Sequence, residues 1–246
     1  MPTSASEAIT ETTTVLRVSG LEAGYASKPV VHGVSMEVPS GKITAVFGHN
    51  GAGKSTTMKA IAGLLPCFAG TVELFGEDVT AKPASHRVAR GLVALPQEKA
   101  VFSSVSVWEN LELGAAIVDD RTLIDERRER VVALFPRLGE RRTQLAGSMS
   151  GGEQRMLSLG IALMAGARVL LLDEPSLGLA PKVNQNLLDA ARQLVEQDGL
   201  SVVLVEQAIG TALEYCDHVY VMRSGQFVAE CTGDEARARD DWWEVF

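Results

Sequence analysis

Gly48-His49-Asn50-Gly51-Ala52-Gly53-Lys54-Ser55-Thr56 is the stretch from which this chain is read. From Gly48 to Ser55 it fits the pattern G-x-x-x-x-G-K-[ST], a loop that cradles phosphates. Its glycines let backbone N–H groups wrap around phosphate oxygens. Lys54 is expected to place a point charge on the β- and γ-phosphates, and the Ser55 hydroxyl to ligate Mg²⁺. The flanks agree. Ile43–Phe47 is a short apolar, β-branched run, read as a buried strand. Lys54–Ala62 lacks Pro and Gly and is read as a helix ending at Gly63. Strand, glycine loop and helix together place the positive end of a helix at the phosphate site.

Composition sets the bounds. A chain of 246 residues can bury one large or two small cores. Its 46% hydrophobic and 22% charged content is that of a soluble globular protein. A formal charge of −8 argues against general affinity for nucleic acid. Arg127, Arg128 and Arg130, then Arg137, Arg141 and Arg142, form either a local basic patch or a solvated helical face, since Glu126 and Glu129 interleave with them. Cys67, Cys216 and Cys231 are odd in number and far apart, which implies a reducing compartment. No apolar run approaches the roughly 18 residues of a membrane span. The first 14 residues, rich in Thr, Ser and Ala, read as a disordered tail.

Along the chain, strands are expected at Val15–Val18, Val34–Val38, Ile43–Phe47, Thr71–Phe75 and Leu92–Leu95. The segment from about 97 to 156 carries helical patterns only. Ser106 and Glu109 fit a capping box opening a helix toward Gly114, and residues 122–135 form an amphipathic helix. We read this segment as a helical insertion in an α/β core. Alternation then resumes, with strands at Val169–Leu172, Ser201–Val205, His218–Met222 and Gln226–Glu230, and a helix over about 183–197. Such alternation implies a mostly parallel sheet flanked by helices.

The apolar strand Leu170–Leu172 delivers two carboxylates at its end. Asp173 suits Mg²⁺, directly or through water, and Glu174 suits the general base that activates water against the γ-phosphate. Seen alone, adjacent acids there would be a solvated turn. Gln97, just after a strand, suits Mg²⁺ through its amide oxygen, or is a surface glutamine. Ser150-Gly151-Gly152-Glu153 fits a capping box, and also a second anion site at a helix start. One nucleotide does not need two such sites from one chain. A dimer would use both, clamping one ATP between the Gly48 loop of one subunit and Ser150–Gly152 of the other.

In their order, GHNGAGKST, Gln97, MSGGEQ, LLLDEP and SLGLAP resemble the ATP-binding subunit of ABC transporters over residues 15–235. The resemblance implies an α/β fold with a phosphate-loop, RecA-like core, an antiparallel β subdomain and a helical subdomain. It implies ATP and Mg²⁺ as ligands, and Tyr25 as the aromatic that stacks on adenine. Ser176–Pro181 would be the loop that communicates across the dimer. Residues 97–110 would form the groove for a helix of the membrane subunit; Phe102 and Trp108 either line it or pack in the core. Two positions depart from the family pattern: Glu153 stands where Gln is usual, and Gln207 where the switch His is usual. Gln207 can donate to γ-phosphate but cannot become charged. With Lys54 and Glu174 it completes the expected catalytic set.

Val205-Glu206-Gln207, the Glu153 signature and Gly178–Pro181 are most similar to the ATPases of branched-chain amino acid importers, whose relatives serve urea or short amides. That implies two membrane permease subunits, a second ATPase subunit or a second copy of this chain, an extracytoplasmic solute-binding protein acting indirectly, and a peripheral place on the cytoplasmic face of the membrane. A soluble ATPase of the same fold working on nucleic acid, ribosomes or cofactor assembly, and a regulatory nucleotide-binding module, remain the other readings. The end Asp240–Phe246 either packs through Trp242 and Trp243 or contacts a partner.

Overall fold

The computed structural model describes residues 13–97 and 100–239. The tail expected over 1–14 and the Trp-bearing end over 240–246 lie outside these residues, except that Thr14 already opens the first strand. β1 (Thr14–Tyr25) and β2 (Lys28–Pro39) form a long antiparallel hairpin, well beyond the expected cores at 15–18 and 34–38. Its turn places Ala26 and Ser27 at φ of 46° and 62°. This is the left-handed backbone that two-residue hairpin turns demand, here without Gly or Asn to signal it. β3 (Ile43–Phe47) leads into the glycine loop and α1 (Lys54–Ile61). β4 (Cys67–Leu74) pairs with β1, and short β5 (Glu77–Asp78) pairs with β4. Phe75, expected inside a strand, instead turns away at φ 51° beside Gly76.

After α2 (Ala84–Ala89) come β6 (Leu92–Leu95), β7 (Val169–Asp173), β8 (Ser201–Glu206), β9 (His218–Arg223) and β10 (Gln226–Thr232). With β3 they form a sheet of order β10-β9-β3-β8-β7-β6. All its pairings are parallel except β9 with β10. β3, β7 and β8 are buried at every residue, as the centre of a sheet covered on both faces must be. Alternation along these strands divides the core in two. Ile43, Ala45, Phe47, Leu170, Leu172, Val202 and Leu204 face one apolar cluster. Val46, Leu171, Val203 and Val205 face the other, shared with β1, β2, β4 and α1.

Between β6 and β7 lie α3 (Val107–Gly114), α4 (Arg121–Leu134), α5 (Pro136–Glu140) and α6 (Gly151–Met164). Among the described residues of this segment, β pairing is limited to one bridge, Ser106 with Leu145. The boundary expected near 156 falls inside α6, which also packs against β6. α7 (Pro181–Asp198) starts on Pro181 and ends at Gly199, at φ 65°. The arginines of the middle segment are more engaged than a solvated face requires. Arg127 donates to the Met164 carbonyl at 2.9 Å, Arg130 pairs with Asp198 at 2.8 Å, and Arg128 lies over the Trp108 ring.

Candidate functional site

In a parallel sheet the carboxyl ends of all strands emerge on one edge, where loops build the site. Here that edge gathers the glycine loop after β3, Gln97 after β6, Asp173 and Glu174 at β7, and Glu206 and Gln207 at β8. Gly51 and Gly53 take φ of 80° and 106°. A Cβ on Gly48 would sit 2.4 Å from the backbone oxygen of Met222, so the loop can pass β9 only with glycine at its first position. A cavity of about 240 Å³ lies against the loop, lined by Val30, Gly51, Gly53, Lys54, Ser55 and Thr56.

Lys54 is buried and donates to the carbonyls of Gly48 at 2.6 Å and His49 at 3.1 Å. Its Nζ also lies 3.1 Å from Glu174 Oε1. The other Glu174 oxygen accepts from Gln97 Nε2 at 2.9 Å. Ser55 Oγ donates to Asp173 Oδ1 at 3.0 Å. Burial pushes the Asp173 carboxyl up; the Ser55 bond works against that, and the neighbouring Glu174 charge adds to it. Residues up to 120 positions apart in sequence thus meet as one polar cluster, with Lys54, Asp173 and Glu174 buried and Ser55 and Gln97 partly buried. Glu174 itself has φ 44°, a left-handed backbone unusual for a residue with a Cβ. Among the described residues no three His, Cys, Asp or Glu side chains group to hold a metal by themselves.

Ser150 and Glu153 form the expected capping box at the start of α6, with Ser150 N–H and Oγ both donating to Glu153 Oε2 at 3.0 and 2.8 Å. The Ser150 backbone bond, followed by its hydroxyl and the charges of Arg141 and Arg137, holds the Glu153 carboxyl below the usual range. Arg141 pairs with it at 3.1 Å. A Cβ on Gly152 would come within 2.3 Å of Val183 Cγ1, so this glycine lets α6 meet the first turn of α7. These residues bond to one another rather than to the Lys54–Glu174 cluster. Tyr25 and Gln207 are exposed, at the end of β1 and just past β8. Phe102 is exposed, whereas Trp108 is partly buried against the core.

Three contributors escape a reading of the sequence. Arg155, buried on α6, donates to the carbonyls of Pro96 and Gln97 and so fixes where Gln97 stands. Arg87, only 1% exposed, holds the end of α1 by donating to Ala60 O at 2.9 Å and ties it to Thr80 O at 2.9 Å. Glu206, 3% exposed, accepts from Ser176 N–H at 3.1 Å and Ser176 Oγ at 2.8 Å. Burial raises its carboxyl while the Ser176 bonds lower it. No spacing rule links an arginine or glutamate to carbonyls or amides on a distant loop.

The model of the ABC transporter family matches residues 31–177. The chain belongs to the ABC transporter family. This ABC ATPase is 41% identical over 209 residues to the high-affinity branched-chain amino acid transport ATP-binding protein BraG of Pseudomonas aeruginosa, covering 85% of this chain and 89% of that one. It is 38% identical over 221 residues to the probable branched-chain amino acid transport ATP-binding protein LivF of Archaeoglobus fulgidus, covering 90% and 93%. It is 32% identical to the lipopolysaccharide export system ATP-binding protein LptB of Escherichia coli, covering 89% and 91%. Among solved structures it is similar to a nucleotide-free ATP-binding cassette from an ABC transporter, with TM-score 0.83 at 25% identity over 95% of this chain and 98% of the other. An ATP-binding cassette in its ADP conformation gives TM-score 0.82 at 28% identity, covering 91% and 93%. The ABC ATPase binds and hydrolyses ATP, and no helix among its described residues is long and apolar enough to cross a membrane.

Proposed function

We propose that this ABC ATPase powers an importer of branched-chain or related amino acids, with Glu174 as the base that activates water. The observation that carries the chemistry is the meeting of Lys54, Gln97 and Glu174 beside the glycine loop. A triphosphate gives Lys54 a stronger anionic partner on the β- and γ-phosphates, which releases Glu174 Oε1. The attacking water then gives its proton to that oxygen as its own oxygen bonds to the γ-phosphorus and the bond to the ADP oxygen breaks. Gln97 Nε2 steadies the other carboxylate oxygen throughout. Gln207 donates to the γ-phosphate, Tyr25 stacks on adenine, and the N–H groups of the loop hold the phosphates.

The donor set fits Mg²⁺. Ser55 and Asp173 offer hard oxygens 3.0 Å apart, and the Gln97 amide oxygen is left over from its bond to Glu174. Mg²⁺ is usually held by one or two protein oxygens, with phosphates and water completing the shell. When bound it neutralises charge on the phosphates. Its presence would also suit the buried carboxylate of Asp173.

The Ser150–Gly152 helix start of one ATPase would close over the nucleotide of another, either a second copy or a different ATPase subunit, and closure would drive two membrane permease subunits. The chain would then sit peripherally on the cytoplasmic face of the membrane, its helical segment toward the permease. The helical insertion at about 97–156 and the solute-binding protein complete this reading. The names of the BraG and LivF relatives support the solute class. The test is recovery of the tagged chain from gently solubilised native membranes. Two membrane subunits with a second ATPase are expected, and their binding protein should bind branched-chain amino acids. Recovery with soluble proteins, ribosomes or nucleic acid alone would overturn the reading, and recovery with a lipopolysaccharide exporter would overturn the solute.

A further inference from the structure

The side-chain oxygens of Glu206 bond to Ser176, off the Lys54–Glu174 pair, yet Glu206 is a carboxylate with 3% exposure. Burying such a charge is unfavourable unless its oxygens are occupied. Both are. Oε1 accepts from the Ser176 backbone N–H at 3.1 Å and Oε2 from the Ser176 hydroxyl at 2.8 Å. Ser176 lies two residues beyond Glu174, whose own N–H donates to Val205 O at 2.9 Å. The turn after β7 is therefore fastened to β8 twice, by the backbone at Glu174 and by the Glu206 carboxylate at Ser176. Leu177 N–H closes it by donating to Glu174 O at 3.2 Å.

What this double fastening holds is a strained conformation. A left-handed backbone at a residue with a Cβ is sterically unfavourable and persists only where its surroundings over-determine it. Glu174 is in that state at φ 44°. Released at Ser176, the turn could relax toward right-handed φ and swing the Glu174 carboxylate off its line to the phosphate.

The structure assigns Glu206 and Ser176 as a positioning pair that holds the base Glu174 in its left-handed turn and ties that turn to the Gln207 loop. The assignment rests on Glu174 being the base. A buried group that acts through another residue affects the chemical step and leaves nucleotide affinity alone.

The test measures steady-state ATPase kinetics and equilibrium ATP binding for Ser176→Ala, Ser176→Thr, Glu206→Gln and Glu174→Gln. Misplacing a catalytic group by about 1 Å can cost up to about 100-fold. Ser176→Ala should lower kcat about tenfold and Glu206→Gln about tenfold or more, each with KM and ATP affinity within about twofold of the parent. Ser176→Thr, which keeps the hydroxyl, should retain more than about half of kcat. Ser176 is half-buried on a loop, so its variants test the pair even if Glu206→Gln fails to fold. If Glu174→Gln is inactive while Ser176→Ala keeps its kcat, the positioning pair is wrong and the base stands. If Glu174→Gln turns over like the parent, the base reading fails and the pair with it. A Ser176→Ala defect confined to KM would likewise overturn the assignment.

Discussion

The Lys54–Glu174 pair gives a sharp stability test. Both side chains are buried, 3% and 9% exposed, at 3.1 Å. At an effective dielectric of about 20 their attraction is about 5 kcal/mol, but desolvating two ions consumes most of it. The net value of the pair is therefore small, while the value of its halves is not. Replacing Lys54 with Met leaves Glu174 buried with only the Gln97 amide as partner. Losing one member of a buried pair costs about 3 kcal/mol. For a chain of this size that lowers Tm by about 6–12 °C. Replacing Glu174 with Gln is milder, about 1 kcal/mol, because Lys54 keeps the Gly48 and His49 carbonyls. The double variant should lie only about 1.5 kcal/mol below the parent, a coupling of about 2.5 kcal/mol. The assay is thermal and urea unfolding of all four proteins in nucleotide-free buffer at pH 7. Single-variant losses that add to within about 0.5 kcal/mol would show that the two side chains do not interact, and would refute the cluster as described.

Three further outcomes follow from other contacts. Burial works against the charge on Asp217, but bonds from Arg192 and the Ile43 N–H, with the charges of Arg192 and Lys42, outweigh it and hold its carboxyl below the usual range. A depressed acid stabilises fully above its unfolded pKa of about 3.9 and loses that stabilisation as pH falls through the folded value. Asp217→Asn should therefore cost about 1–2 kcal/mol at pH 7, with the gap from the parent closing only below about pH 4. A gap already closed at pH 6 in melting curves would contradict this. Gly48→Ala forces a Cβ against Met222 O, and titration with a fluorescent ATP analogue should show affinity at least about tenfold weaker; unchanged affinity would count against the loop as the phosphate site. Ser106→Ala removes the cap of α3 at a cost of about 1 kcal/mol. Hydrogen exchange should then quicken over Val107–Gly114 and not over α6; uniform change across the chain would contradict a local cap.

The site was more legible than the packing that supports it. Gly48–Thr56, Asp173 and Glu174 could be read because each sits at the end of a continuous apolar run, and parallel strands carry such ends to one edge. The capping boxes at Ser106 and Ser150 are local and were readable for the same reason. The long hairpin of β1 and β2 was read only at its alternating ends, because bulges shift its register around Leu21 and Ala23 and because Ala26 and Ser27 take a turn conformation usually marked by Gly or Asn. α2 and the helix Gly233–Arg237 are too short for a helical period to show. Arg87, Arg155 and Glu206 reach carbonyls and amides 27, 59 and 30 positions away in sequence, and only the fold brings those groups within reach. The arginines between 127 and 130 looked like a solvated face because the sequence shows their charged neighbours but not Met164 O or Asp198.

The central claim is that Glu174 takes the proton of the attacking water while Lys54 and the glycine loop bind the nucleotide. It is tested most directly by single-turnover hydrolysis of bound ATP by Glu174→Gln, alongside equilibrium ATP binding. Our account expects hydrolysis slower by about 100-fold or more, with affinity within about threefold of the parent. Hydrolysis at the parent rate, or loss of ATP binding with the rate per bound nucleotide unchanged, would contradict it.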